Sequence, residues 1–269
     1  MKAHYLTIAA IGFYLACTLL VALRLRHHGQ TGTVKRSTVL LTGFIALLLH
    51  AAVLHGELHT DQGINLSFFN VASLTVWMVS AVLLVSALGK PVETLGLVVF
   101  PLACAAMLAD LAYPGSHLMS GESSWELRLH VVVSILAYAM LTLATLQAIL
   151  LAIQDNHLRS HHPGGVIRAL PPLQTMESLL FEMIGLGFVL LSVSLLSGFA
   201  YLEDMFAQHV AHKTLLSMIG WIVFASLLWG RFRFGWRGTT AIRWTLSGFV
   251  LLMLAYFGSK AILELVLNR

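Results

Sequence analysis

The sequence predicts an all-α membrane protein, a single bundle of eight transmembrane helices. Three observations carry that expectation. Of 269 residues, 58% are hydrophobic and only 28 are charged, 16 Lys or Arg and 12 Asp or Glu. A soluble domain carries about a quarter charged residues, and a tenth cannot coat a globule of this size. The apolar residues fall in eight stretches, each near the ~20 residues a helix needs to cross the hydrocarbon. The basic residues gather in the short connections between them. Soluble enzyme, disordered scaffold and secreted disulfide domain are excluded together. The net charge of +4 says little about nucleic acid, because the basic residues sit in short loops between spans, and no nucleic-acid partner is expected.

Each span has its own justification. Tyr5–Leu25 is as long as a full span and runs directly into basic residues, so it reads as the first helix rather than a cleaved signal. Thr38–His55 and Phe68–Leu88 follow, and Val92–Tyr113 contains Pro101, which should kink it. Arg128–Ile153 and Ser178–Tyr201 flank the longest connection, which holds Pro163-Gly164-Gly165 and Pro171-Pro172. Thr214–Gly230 has 17 residues, near the lower limit for a span, and Trp244–Leu265 closes the set. No connection is long enough for a soluble domain, and no strong repeat is visible, so residues 1–269 read as one transmembrane domain.

Orientation follows from the basic residues. Connections after the odd-numbered spans hold eleven Lys and Arg, including Arg24, Arg26, Lys35, Arg36, Arg231, Arg233, Arg237 and Arg243. The other side holds five: Lys2, Arg128, Lys213, Lys260 and Arg269. The excess marks the cytoplasmic side and is expected to set both termini outside the cytoplasm. Cys17 and Cys104 lie in apolar runs with no partner at disulfide or zinc spacing, and no Cys-x-x-Cys-His is present, so neither a disulfide framework nor covalent c-type haem is expected.

The topology sorts the thirteen histidines. His27, His28, His157, His161 and His162 fall in cytoplasmic loops and read as solvated. His4, His50, His55, His59, His117, His130, His209 and His212 fall on the outer side. His50 stands in an apolar run about 7–8 Å below the outer end of the second span at 1.5 Å per residue, where a polar group must face other helices or a cavity. Gly43 and Ala46 lie on the same face, small enough for another helix or a flat ligand to approach. His130 opens the fifth span at the same level, with Glu126, His130 and Ser134 four apart on one face. Glu126 can hold a ring N–H and orient the other nitrogen toward a metal; alternatively it serves the helix dipole. His50 has an alternative too, as a core histidine bonded to a neighbouring helix.

Two neutral imidazoles on facing helices at one depth suit six-coordinate haem iron. They make His50 and His130 the candidate metal ligands, with Glu126, Ser134, Trp125 and Phe69 around a non-covalent haem b. Phe68 and Tyr113 stand at the same level. His55 and His59, beside Glu57, offer a weaker landing site or are simply solvated. Lys260 and Glu264 are expected to pair, and Asp110 has no partner in the sequence.

Several motifs resemble the cytochrome c assembly family, which includes CcsA, CcmC and HemX. They are Gly63-Ile-Asn-Leu-Ser-Phe-Phe-Asn70 leading to Trp77, His130-Val-Val-Val-Ser-Ile-Leu-Ala-Tyr138, and Lys213 through Gly230-Arg-Phe-Arg-Phe-Gly-Trp-Arg-Gly238. Ala255-Tyr-Phe-Gly258 also fits, and Pro171-Pro172-Leu with Glu177 resembles the YpjD-like inner-membrane branch. The resemblance spans nearly the whole chain. It implies haem handling near the outer face, with cytochrome c maturation proteins or apocytochrome c as partners, and it puts His130 where CcsA-like proteins place their first outward histidine ligand. The chain departs from that pattern at three places. The segment between Tyr201 and Lys213 has no Trp, Trp229 stands where CcsA places a transmembrane histidine, and Leu267 stands where the second outward histidine would be. These departures point away from a haem lyase, and from an enzyme altogether, toward storage, hand-over or export of haem. A non-catalytic regulator or scaffold of an assembly complex is the alternative, and a quinone-linked haem oxidoreductase a more distant one.

Overall fold

The computed structural model describes residues 2–26, 34–60, 63–65, 67–113, 115, 118–119, 125–160, 169–201 and 211–258. The described residues form an all-helical fold in which eight helices are long and apolar enough to cross a membrane, as the sequence predicts. The chain is a multi-pass membrane protein. It divides into two compact units: Met1–Glu122 with Pro163–Pro171, and Ser123–His162 with Pro172–Arg269.

The first unit holds α1 (Lys2–Arg26), α2 (Arg36–Leu58), α3 (Phe68–Gly89) and α4 (Gly96–Ala112). A 3-10 turn, Glu93–Leu95, leads into α4, and Pro101 lies within that helix, where it removes one backbone hydrogen bond. The motif around residue 65 proves to be structural. Ser67 caps α3, its Oγ accepting from the Asn70 N–H at 3.4 Å. Trp77 ties α3 to α2 by donating its indole N–H to Leu47 O at 2.9 Å. Gly43 allows a close crossing: a Cβ there would come within 2.6 Å of Leu84 on α3 and 3.4 Å of Cys17 on α1. The small face beside His50 is therefore filled by helices. At one end of the unit Arg36 donates to Ala87 O and Lys90 O, both at 2.6 Å, closing the C-terminus of α3. Its Nε and that of Arg24 face Glu93 at 3.5 and 4.0 Å.

Three short strands, β1 (His59–Thr60), β2 (Gly63–Asn65) and β3 (Leu118–Met119), make a small antiparallel sheet between helices. The sequence predicts only loops here. Strands of two or three residues are too short to show an alternating pattern.

The second unit holds α5 (Trp125–Arg159), α6 (Leu173–Tyr201), α7 (Ala211–Phe234) and α8 (Gly238–Met253), the last continued by a π-helical turn, Leu254–Gly258. At 35 residues, α5 is about 52 Å long, well beyond the ~30 Å hydrocarbon. It outruns its expected end at Ile153 because the polar turn that follows still favours helix, with Arg159 on Asp155 at 3.1 Å one turn back. Hydropathy marks the embedded part of a helix and misses such extensions. For the same reason α7 runs four residues past Gly230. The expected end of the last span, Leu265, and the pairing of Lys260 with Glu264 lie outside the described residues.

The turn between α7 and α8 explains the arginine-aromatic motif. Gly235 and Gly238 take φ of +67° and +51°, the left-handed region that glycine enters without strain. The Trp236 ring folds back directly against the Gly230 α-carbon and stacks near Trp244, centroids 5.3 Å apart. Arg231 donates to Glu177 at 2.6 Å and to Trp236 O at 3.2 Å, with its guanidinium 4.4 Å above the Phe181 ring. The motif is a tight turn bolted to α6.

Candidate functional site

In the second unit α5 packs most extensively on α6, and near the start of α5 the two helices share a run of polar groups. His130 is part-buried, its Nδ1 2.9 Å from Ser197 Oγ on α6. Ser197 Oγ donates to Ser194 O, one turn back, at 2.9 Å. Ser194 Oγ lies 2.6 Å from Ser134 Oγ, and Ser134 donates to His130 O at 2.6 Å. Imidazole and hydroxyls thus form a ring of hydrogen bonds linking two helices in otherwise apolar surroundings. Polar groups on apolar helices satisfy one another in this way where water is scarce.

Ser134 is found beside His130, as expected from their spacing. Ser194 and Ser197 are additions. Their signal in the sequence is a set of three serines, Ser192, Ser194 and Ser197, inside an apolar helix, which must face partners. Ser192 takes a different one, accepting from the Trp221 indole on α7 at 2.8 Å. Glu126, a candidate to hold the ring N–H or to serve the helix dipole, is part-exposed; the bond to Nδ1 runs to Ser197. Trp125 is exposed at the start of α5.

Two turns along α5, Tyr138 shares the face of His130 and Ser134. Its ring lies 5.4, 6.5 and 5.6 Å from those of Phe249, Tyr256 and Phe257. The motif that begins at His130 and the one that closes on Gly258 therefore meet in an aromatic cluster.

In the first unit His50 is fully enclosed. Its Nε2 is 3.0 Å from Ser73 Oγ on α3, and its Nδ1 is 3.3 Å from Tyr14 Oη on α1. The Tyr14 ring meets the imidazole edge-on at 5.8 Å and stacks on Phe100 at 5.7 Å. Both ring nitrogens are engaged, the arrangement foreseen as the alternative to ligation. Phe69 stacks on Tyr113 at 5.5 Å and meets Phe68 edge-on at 5.3 Å.

Asp110 has a partner after all. With the Asn70 amide turned to the orientation that satisfies both its neighbours, its nitrogen donates to the two carboxyl oxygens at 3.0 and 2.8 Å while its oxygen accepts from Asn65 at 3.1 Å. Glu57 meets the same carboxyl group. His55 is exposed at the end of α2. His27, His28, His117, His161, His162, His209 and Leu267 lie outside the described residues, as do the side chains of His59 and His212. Among the described residues no group of three or more His, Cys, Asp or Glu could hold a metal ion. A separate cavity of about 240 Å³ opens between α5 and α8 beside Asp155, Arg159 and Arg243, and none of the expected site residues lines it.

Fold and site together define a polytopic helical membrane protein that carries a serine-bound histidine at the end of one of its spans. Residues 38–267 match the cytochrome C assembly protein family, and the chain belongs to that family, as its motifs led us to expect. It is 30% identical over 265 residues to the inner membrane protein YpjD of Escherichia coli strain K12, covering 96% of this chain and 97% of that one. It is 26% identical over 267 residues to the cytochrome c biogenesis protein CcsA of Microcystis aeruginosa, covering 80% of each. With CcsA of Chlamydomonas reinhardtii it shares 30% identity over 145 residues, 53% of this chain and 40% of that one. No solved structure matches the chain significantly.

Proposed function

We propose that this protein handles haem in a bacterial inner membrane, holding it non-covalently through His130 near the outer face for storage, hand-over or export. The observation that carries the reading is the imidazole of His130, bonded through Nδ1 to Ser197 and part-exposed at the end of a span. A neutral imidazole so held is a fitting axial ligand for a porphyrin iron, and apolar helix walls suit the macrocycle. Membership of the cytochrome c assembly family supports the cofactor, the YpjD relative supports the inner membrane, and the charge asymmetry of the loops supports the outer placement. Bound haem would supply a redox-active iron; the protein's part is to bind and release it. Haem-maturation proteins or apocytochrome c are the proposed partners.

His50 enters this proposal as a second ligand only in a state where Ser73 or Tyr14 has released a ring nitrogen. Its closed hydrogen bonding favours a second reading, a membrane scaffold or regulator of an assembly complex with no haem of its own. One experiment separates the two. The protein is purified with added haemin, and its visible spectrum is recorded beside those of His130→Ala, His50→Ala and the double variant. A low-spin haem spectrum lost in His130→Ala supports haem handling. A spectrum of free haemin throughout, with a stoichiometric protein partner retained by the double variant, supports the scaffold.

A further inference from the structure

We infer that Ser197 is a positioning residue that holds His130 in the Nδ1–H tautomer and leaves the Nε2 lone pair available to iron. The inference rests on the proposed ligand role of His130 and follows from counting protons around the ring of hydrogen bonds. A serine hydroxyl has one proton to give. Ser197 gives its proton to Ser194 O, so its Oγ meets His130 Nδ1 as an acceptor and the imidazole must be the donor. On the other arm Ser134 gives its proton to His130 O, so Ser194 Oγ donates to Ser134. Every proton has one acceptor and the circuit closes with Nδ1 protonated.

A neutral imidazole carries one N–H, so the second nitrogen keeps its lone pair. The nitrogen that binds a metal is set by the hydrogen bond the other one makes. Here the acceptor is a hydroxyl, which is uncharged. A carboxylate would push more electron density onto the ring and bind iron more tightly. A neutral acceptor orients the ligand while keeping it modest in strength, which suits a haem that must later be passed on. The circuit also joins α5 to α6, so any sliding of one helix on the other would disturb the tautomer and the ligand together.

The test begins with haem-free protein carrying ¹⁵N-labelled histidine in a lipid nanodisc. The His130 ring signals, assigned by their loss in His130→Gln, should show a protonated Nδ1 and a bare Nε2. Ser197→Ala should erase that preference and weaken haemin binding roughly ten- to a hundredfold, the usual consequence of losing a ligand's hydrogen-bond partner. Ser197→Thr, which keeps the hydroxyl, should retain both. A protonated Nε2 in the unaltered protein overturns the inference, and decides the matter even where Ser197→Ala does not fold. A tautomer and an affinity indifferent to Ser197→Ala overturn it equally. A Ser197-dependent Nδ1–H ring, in a protein whose haem spectrum ignores His130→Ala, upholds the orientation by Ser197 and overturns the ligand reading alone.

Discussion

Ser73 Oγ and His50 Nε2 stand 3.0 Å apart between α3 and α2, at a point where the imidazole has no exposed surface. Tyr14 occupies the other ring nitrogen from α1, so one histidine joins three helices of the first unit. Ser73→Ala would leave a buried ring nitrogen without its partner, at a cost of about 1–3 kcal/mol. Thermal unfolding in detergent should show a clearly lower midpoint. A midpoint equal to that of the unaltered protein would mean that His50 does not depend on this bond.

Gly230 has no room for a side chain because the Trp236 ring lies against it. Gly230→Ala should therefore overpack the α7–α8 turn and destabilise the protein by about 1–3 kcal/mol. Shrinking the ring removes the conflict, so Gly230→Ala combined with Trp236→Leu should cost less than the two single changes added together. Strict additivity would show that the clash is relieved elsewhere.

Glu177 receives Arg231 at 2.6 Å, both partly shielded, with Arg237 4.0 Å away. Charged hydrogen bonds of this kind lie between exposed and buried pairs in strength, so Glu177→Gln should cost about 1–2 kcal/mol. The loss should shrink as salt is added, because part of the attraction is screened. A salt-independent loss would point to packing as its source.

The loop charges predict that both termini lie outside the cytoplasm. A reporter active only in the cytoplasm should stay silent when fused after Arg269 and work when fused in the α7–α8 turn. The reverse pattern would put His130 at the inner face and remove the outer placement from the proposed function.

The bundle was readable before any coordinates because its spans announce themselves in composition. Each expected span overlaps one of the eight helices, although α6 and α8 begin at Leu173 and Gly238, five and six residues before their expected starts. The overruns of α5 and α7, held by pairs such as Asp155 with Arg159, escaped because the helix continues where the membrane stops. The site was readable only along one helix at a time. His130 and Ser134 share a face by spacing, and the place of His50 within its helix follows from counting residues. Ser197, the partner of Nδ1, sits 67 residues away on α6, and no spacing rule on α5 could name it. Glu126 was the local candidate, and a neighbouring helix supplied the bond instead.

The family motifs divide the same way. Their presence was plain in the sequence, but their work was not. The segment ending at Asn70 caps α3 and steadies Asp110, the arginine-aromatic run is a glycine-dependent turn, and the stretch from His130 to Tyr138 meets the residues around Tyr256. Membrane class and the embedded extent of each span are properties that each residue contributes through its own transfer from water to lipid, and such contributions add along a chain. Which hydroxyl meets which imidazole depends on two groups from distant segments coming within about 3 Å. Only the packing of the helices brings them that close.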